Sequence, residues 1–294
     1  LARIRKAIGE KTLIVSALDD IAWTLNLRGT DVHCNPVVVS YLIITPDEAH
    51  FFALPEKISS SVEEYLRENN VAVHPYADFY RMVATFDTYP LVLPTNSNVE
   101  ISTRCQRLTD EGRCTFAPSP IPAMKAIKNE AETEGFRKAM VRDGIALVRF
   151  LIWLEEKMER GEEVTELSAD RELTRQRSTQ ALFRDISFGT IAGYGTHGAI
   201  VHYEPTPESD IPLEPRGLLL LDSGAQYMDG TTDITRTFAM GEVGRFSRRL
   251  SLLLGAPYTY VCPSDEEATA SGQPTREWLE RSFECPHPLE GYTL

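Results

Sequence analysis

Two aspartates, Asp222 and Asp233, are the residues of this chain best placed to do chemistry. The run at 218–238 reads Leu-Leu-Leu-Leu-Asp-Ser-Gly-Ala-Gln-Tyr-Met-Asp-Gly-Thr-Thr-Asp-Ile-Thr-Arg-Thr-Phe. Its leucines suggest a buried strand that ends by presenting Asp222. A turn and a second strand, rich in Thr and Ile, then present Asp233. An acid at the end of an apolar strand is expensive to bury unless something positive meets it. Two such acids on consecutive strands point to a shared cation, and an all-oxygen pair suits a hard ion such as Mn²⁺. The plainer alternatives are an Asp222 that caps the next turn through backbone N–H groups and a solvated Asp233 paired with Arg236.

The turn decides the geometry. Centred on Tyr227 and Met228, it would set the two aspartates directly opposite each other on one face. The local turn signal is instead Asp229-Gly230. A tight turn there pairs Asp222 with Arg236 or Thr237 and slides Asp233 roughly 10 Å along its strand. A shared cation then needs a wider loop or a bulge.

The elements that position these residues follow from hydrophobic pattern. Residues 1–10 predict a helix, 12–16 a strand, and Asp19 caps a short helix ending at Leu25. Strands are expected at 37–44, 49–54, 71–73 and 91–93, and helices at 60–69, capped by Ser60 or Ser61, and at 78–85. This alternation makes a compact α/β domain with its own core. Three prolines, Pro118, Pro120 and Pro122, mark a linker. Beyond it a long helix runs to about Met158, with Met140, Ile145, Val148, Leu151 and Leu154 as its apolar face. Another helix spans about 167–177, and strands from Asp185 open a second sheet.

The segment at 218–238 resembles the first metal-ligand motif of the aminopeptidase P family, the Xaa-Pro aminopeptidases with the pita-bread fold. Other segments carry the same resemblance in the family's order. Gly198-Ala199-Ile200-Val201-His202-Tyr203 looks like its substrate-histidine strand, and Asp185-Ile186-Ser187-Phe188 like the strand before it. Ser119-Pro120-Ile121-Pro122-Ala123-Met124-Lys125-Ala126-Ile127-Lys128-Asn129 looks like the entry to the catalytic domain. Residues 17–29, with Asn35-Pro36, look like the middle, non-catalytic domain. The implied fold is α/β (α+β): a creatinase-N-terminal-like domain at 1–118, then an incomplete pita-bread domain at 119–243. The implied chemistry is release of an N-terminal residue when proline comes second. Two metal ions, usually Mn²⁺ with Zn²⁺ or Co²⁺ as other possibilities, are held by two Asp, one His and two Glu and bridged by hydroxide. Asp222 and Asp233 match the two aspartates. His202 matches a histidine that lines the substrate site, binds substrate or stabilises the oxyanion, and is not a ligand. His197, in a Gly-flanked loop, reads as a solvated residue in preference to one that borders the same cleft.

The other three ligands have no match. After Asp233 the only histidine is His287, in Cys-Pro-His-Pro, without the family's glycine-rich turn. Glu284, His287 and Glu290 have no spacing that suits a ligand turn. From about Gly244 the resemblance ends, and 244–294 reads as a divergent tail. A change of reading frame near Val243 with an early stop is the favoured origin, a divergent terminus the other. The start at Leu1, in an amphipathic helix, reads as an internal fragment. The 294-residue chain is therefore expected to be inactive, to bind Mn²⁺ weakly and, with open sheet edges, to aggregate. Two further readings stay open: a non-catalytic pita-bread module that binds a peptide or protein, and a proline dipeptidase or creatinase-type hydrolase.

Composition limits partners. A formal charge of −13 argues against non-specific nucleic-acid binding. No apolar run approaches the roughly 20 residues that span a bilayer. Cys34, Cys105 and Cys114 read as free thiols of a reducing, cytoplasmic compartment. Peptides beginning Xaa-Pro are the expected partners, with a homodimer possible.

Overall fold

Thr12–Val15 is buried at all four positions, as an apolar run without alternation should be when both faces of its sheet are covered. It is strand β1, preceded by helix α1 (Ala2–Ile8), in a computed structural model that describes residues 1–241. Two units are present, Leu1–Glu130 and Ala131–Leu294. After β1 the first continues with α2 (Leu18–Leu25), β2 (Tyr41–Ile44), β3 (Ala49–Ala53), α3 (Ser60–Glu68), β4 (Val71–Pro75) and α4 (Phe79–Thr85). Then come β5 (Leu91–Leu93), α5 (Val99–Arg104), α6 (Gln106–Asp110), β6 (Cys114–Phe116) and α7 (Ile121–Ala126). The strands form one mixed sheet in the order β4-β3-β2-β1-β5-β6. Side chains alternate between its two faces: Leu13, Val15, Leu42 and Ile44 enter one core, Ile14, Ile43 and Phe52 the other.

Several local expectations are corrected. The strand expected from residue 37 begins only at Tyr41, because 29–39 folds on itself: Asp31 N–H donates to the Val37 carbonyl and its carboxylate accepts from Val39 N–H at 2.7 Å. Asp19 does not cap α2; with Asp20 it holds the Lys125 ammonium. Ser59, one residue earlier than expected, caps α3. The segment 119–126, read as the opening of the second domain, contributes the fully buried Ile121 to the first unit's core.

His50 and His74, on β3 and β4, place ring nitrogens 3.1 Å apart. Burial, and for His50 the neighbouring His74, lower both above the opposing pull of Glu48 and Asp78. The unfolded chain therefore takes up protons first as pH falls through 6.5. The first unit should lose stability from there down to the depressed folded values. Urea midpoints between roughly pH 7 and 5 check this; the His50→Asn and His74→Asn double variant should show a flatter profile.

The second unit is built on α8 (Glu130–Glu159) and α9 (Glu166–Ser178), with β7 (Phe183–Ile186), β8 (Ile191–Tyr194), β9 (Leu218–Ser223), β10 (Ala225–Tyr227), β11 (Gly230–Thr231) and β12 (Ile234–Ala239). Among the described residues the strands make two three-stranded sheets, β11-β10-β7 and β12-β9-β8. The apolar face expected on α8 is corrected. Its buried stripe is Gly135, Ala139, Asp143, Ala146, Phe150 and Leu154, whereas Met140, Ile145 and Val148 are exposed. Small residues face inward because the β10–β11 turn seats there. A Cβ on Gly135 would collide with the Asp229 carbonyl, and one on Gly230 would lie 3.0 Å from the Ala139 methyl. Gly135→Ala should therefore destabilise the second unit by about 1–3 kcal/mol, outweighing the roughly 1 kcal/mol gain in helix propensity. Hydrogen exchange of α8 and β10 is the measurement.

Asp143 and Arg177 form a fully buried, bidentate pair at 2.8 and 2.9 Å. The Tyr227 hydroxyl donates to Asp143 at 3.0 Å. Arg142 pairs with Asp229 and lies over the Tyr227 ring, 5.1 Å from its centroid. Helices and hairpin tip are thus tied by charge as well as by shape. No helix among the described residues is long and apolar enough to cross a membrane.

Candidate metal centre

Strand β9 alternates: Leu219 and Leu221 are buried against the helices and Ser223 is buried on the same row, while Leu218, Leu220 and Asp222 are only half-buried on the opposite face. This corrects the reading of 218–221 as a strand buried throughout, because the described residues cover one face more fully than the other. Asp222 stands at the end of that more open row.

The hairpin takes a register between the two anticipated. Tyr227 pairs with Gly230, so the turn residues are Met228 and Asp229. The same register continues into β9 and β12, where Asp222 pairs with Thr235 and Ser223 with Ile234. Asp233 therefore lies two residues from the partner of Asp222, in the link just before β12 begins. Within a regular ladder such diagonal positions are about 7–8 Å apart at the backbone, and Asp222 is close enough for its charge to act on the Asp233 carboxyl. Neither a directly opposed pair nor the long slide results.

Local contacts fix the bend between the sheets. Gly224 has no room for a Cβ, which would strike the Thr232 carbonyl and the Ser187 hydroxyl. Ala225 N–H donates to the Thr232 hydroxyl, and Thr232 N–H returns a bond to the Ala225 carbonyl, both at 2.9 Å. Ser187 Oγ donates to the Thr232 carbonyl at 2.8 Å. Asp233, next to this knot, projects outward and is exposed.

The electrostatics are those of two neighbouring acids. Desolvation, and then the Asp222 charge, raise the Asp233 carboxyl above its ordinary value. The Thr235 hydroxyl donates to Asp222 Oδ1 at 2.7 Å, which orients that carboxylate and leaves its second oxygen available. An oxygen-only pair of this charge suits a hard divalent cation. Among the described residues no group of three or more His, Cys, Asp or Glu side chains could hold a metal, so the fit is to two donors of a set and no more. Glu284, His287 and Glu290, and the whole tail 244–294, lie outside the described residues.

His202 is not on a strand. The segment expected to be one forms a 3-10 turn, Gly195–Ala199, followed by a bend in which His202 has a φ of 55° and an exposed side chain. The glycine content of 193–198 explains the difference. Gly193 and Gly198 touch, a Cβ on Gly193 falling 2.9 Å from the Gly198 backbone, so the chain doubles back over β8. His197 is not merely a solvated loop residue either. Its Nδ1 lies 3.0 Å from both oxygens of Glu166, a carboxylate that is fully buried. Sequence reasoning passed over Glu166 altogether; a Glu beside a Thr-x-x-Ser capping box looks like an ordinary helix-start acid.

Comparison with known proteins gives this geometry its relatives. Residues 1–132 match the family described as Creatinase/Prolidase N-terminal domain, and 134–254 the one described as Metallopeptidase family M24. The second match runs about ten residues past Gly244, where the resemblance was expected to end. Xaa-Pro aminopeptidase ApepP of Drosophila melanogaster is 39% identical over 254 residues, covering 83% of this chain and 41% of the relative. Aminopeptidase P2 of Arabidopsis thaliana is 38% identical over 262 residues, covering 80% and 37%. The crystal structure of X-prolyl aminopeptidase from Caenorhabditis elegans, described as a cytosolic enzyme with a di-nuclear active site, superposes with a TM-score of 0.78 at 31% identity, over 83% of this chain and 41% of that one. Prolidase from Pyrococcus horikoshii shares the fold, with a TM-score of 0.63 at 18% identity, over 84% and 66%. The chain spans about two fifths of the length of the fly and plant relatives.

Proposed function

Because this chain belongs to the M24 metallopeptidases and within them matches the Xaa-Pro aminopeptidases, we propose that it carries part of the active site of such an enzyme. The reaction is hydrolysis of the first peptide bond when proline is the second residue. The observation that carries this reading is Asp222 at the end of the more open row of β9, with Asp233 two residues from its partner and within reach of its charge. Asp222 and Asp233 would hold the metal, Mn²⁺ for preference and Zn²⁺ or Co²⁺ otherwise. When bound, a divalent pair lowers the pKa of water and polarises a peptide carbonyl.

The chain's own residues divide the remaining work. Thr235 holds Asp222 in one orientation, and the close contacts of Gly224 with Thr232 and Ser187 fix the backbone next to Asp233. His202, exposed on a loop that crosses this face, would bind the substrate or donate to its developing oxyanion. The peptide substrate, a cytoplasmic location and a homodimer of the complete protein belong to the same proposal.

Two donors bind a divalent ion weakly, and the glutamate expected to pass a proton to the proline nitrogen has no match in this sequence. Incubated with Mn²⁺ and an Xaa-Pro-Xaa peptide, the 294-residue chain should release no detectable first residue. Robust Mn²⁺-dependent release would overturn the view that the chain is inactive. A longer protein containing this segment should cleave Xaa-Pro tripeptides in preference to Xaa-Pro dipeptides; the opposite preference would make it a dipeptidase.

A further inference from the structure

We propose that Glu166 is a positioning residue: a buried carboxylate latch that holds the 194–203 segment, and with it His202, over the face of the sheet that carries Asp222. The substrate role of His202 rests on the function proposed above. The latch itself rests on geometry alone.

A glutamate side chain with no exposure is rare unless every oxygen is satisfied. Glu166 meets that condition through one stretch of chain. Tyr194 N–H donates to its Oε1 at 2.7 Å, where β8 ends. The Tyr203 hydroxyl donates to Oε2 at 2.9 Å, at the far end of the loop. Between them, His197 Nδ1 lies 3.0 Å from both oxygens. Start, middle and end of a ten-residue excursion therefore converge on one carboxylate. Burial raises the Tyr203 hydroxyl above its ordinary range, and the Glu166 charge adds to that, so it remains a donor.

The anchor is held by its own set of bonds. Thr165 caps α9 in a reciprocal box with Ser168, at 3.2 and 2.7 Å. Leu167 N–H donates to the Asp210 carboxylate at 3.0 Å. Glu166 N–H donates to the Ile211 carbonyl, and Leu213 N–H to the Val164 carbonyl. By contrast, among the described residues no hydrogen bond or ion pair fixes the His202 ring. Its place is set by its neighbour Tyr203 and by the left-handed backbone at its own position.

The loop rests on the relevant face. A Cβ at Gly198 would lie 3.5 Å from Leu220 Cβ. Leu220 shares its side of β9 with Asp222, two residues on. The turn that Glu166 holds through His197 therefore touches the side of the sheet where Asp222 stands, four residues before His202.

The test uses the full 294-residue chain, with Glu166→Gln and Tyr203→Phe. Hydrogen exchange reads the latch directly. In Glu166→Gln the amides of 194–203 should exchange about tenfold faster or more, as loss of charge-assisted bonds predicts, with those of β9 and β12 unchanged. Tyr203→Phe keeps the ring and the carboxylate, so a smaller acceleration confined to 200–203 is expected. Should Glu166→Gln fail to fold, this second variant decides alone. Unchanged loop exchange in the folded variants overturns the latch; so does a uniform acceleration across α9, β8 and β9, which would mean Glu166 only stabilises the unit.

Mn²⁺ as a paramagnetic probe reads position. In the unsubstituted chain Mn²⁺ should broaden both the amides beside Asp222 and Asp233 and the His202 ring signals. In Glu166→Gln the amides should broaden as before while the His202 signals sharpen. Equal broadening of His202 in both proteins overturns the proposal. If the amides beside the aspartates do not respond in the unsubstituted chain, the metal reading fails, and hydrogen exchange alone then decides whether the latch exists.

Discussion

Arg177→Met should destabilise the second unit by about 3–5 kcal/mol, the cost of stranding one member of a buried ion pair. Asp143 would be left without its cation in a site without exposure, with only the Tyr227 hydroxyl as a donor. The pair is not expected to be a large net source of stability. Arg177 Nη1 is buried without a hydrogen-bond partner, and both ions have given up hydration to be there. Replacing both ions while keeping Tyr227 would orphan its hydroxyl, at roughly 1–3 kcal/mol. The triple variant Asp143→Leu, Arg177→Met, Tyr227→Phe should therefore recover most of what Arg177→Met loses. Urea denaturation followed by hydrogen exchange in α8 and β10 measures each step. A loss below about 1 kcal/mol for Arg177→Met would show that the site relaxes to admit water and that the clamp on the hairpin is weak.

Asp222→Asn and Asp233→Asn should each weaken Mn²⁺ binding by at least tenfold, about 1.4 kcal/mol, because each removes one of two charged donors. The same substitutions have an opposite effect without metal. Asp233 is held above its ordinary pKa by desolvation and by Asp222. A raised carboxyl gives stability that is complete below its unfolded value of 3.8 and is lost as pH rises through the folded value. The metal-free chain should thus become less stable as pH rises above about 4, and Asp233→Asn should remove that slope. Exposure of Asp233 keeps the difference small, below about 1 kcal/mol. Mn²⁺ should restore stability at neutral pH in the unsubstituted chain alone. Titration of free Mn²⁺ by its magnetic resonance signal, with melting curves across pH, tests both halves. Equal Mn²⁺ affinity in all three proteins would place the ion elsewhere.

The sequence alone determined the elements whose pattern is local. The β-branched run at 12–15, the strand at 91–93 and the long helix ending near Met158 are legible because period and caps are properties of neighbouring residues. Asp222 and Asp233 stand out in the sequence for a similar reason: acids beside apolar or β-branched runs are conspicuous against the cost of burying charge.

Only the tertiary structure decided which faces meet. The exposed Met140, Ile145 and Val148 carry the hydrophobicity of α8, yet Gly135, Ala139 and Asp143 carry its packing. The reason is spatial. A hairpin tip seats where side chains are small, and a buried acid is tolerated because Arg177, distant in sequence, reaches it. The register of the hairpin was open for a similar reason. Two turn positions competed locally, and contacts of Gly224 with Thr232 and Ser187, together with the seat on α8, set it at Met228 and Asp229. Glu166 shows the limit most plainly. Nothing about a helix-start glutamate predicts that a loop begun nearly thirty residues later will close on it. Its partners are chosen by the path of the chain over β8, which no local pattern records.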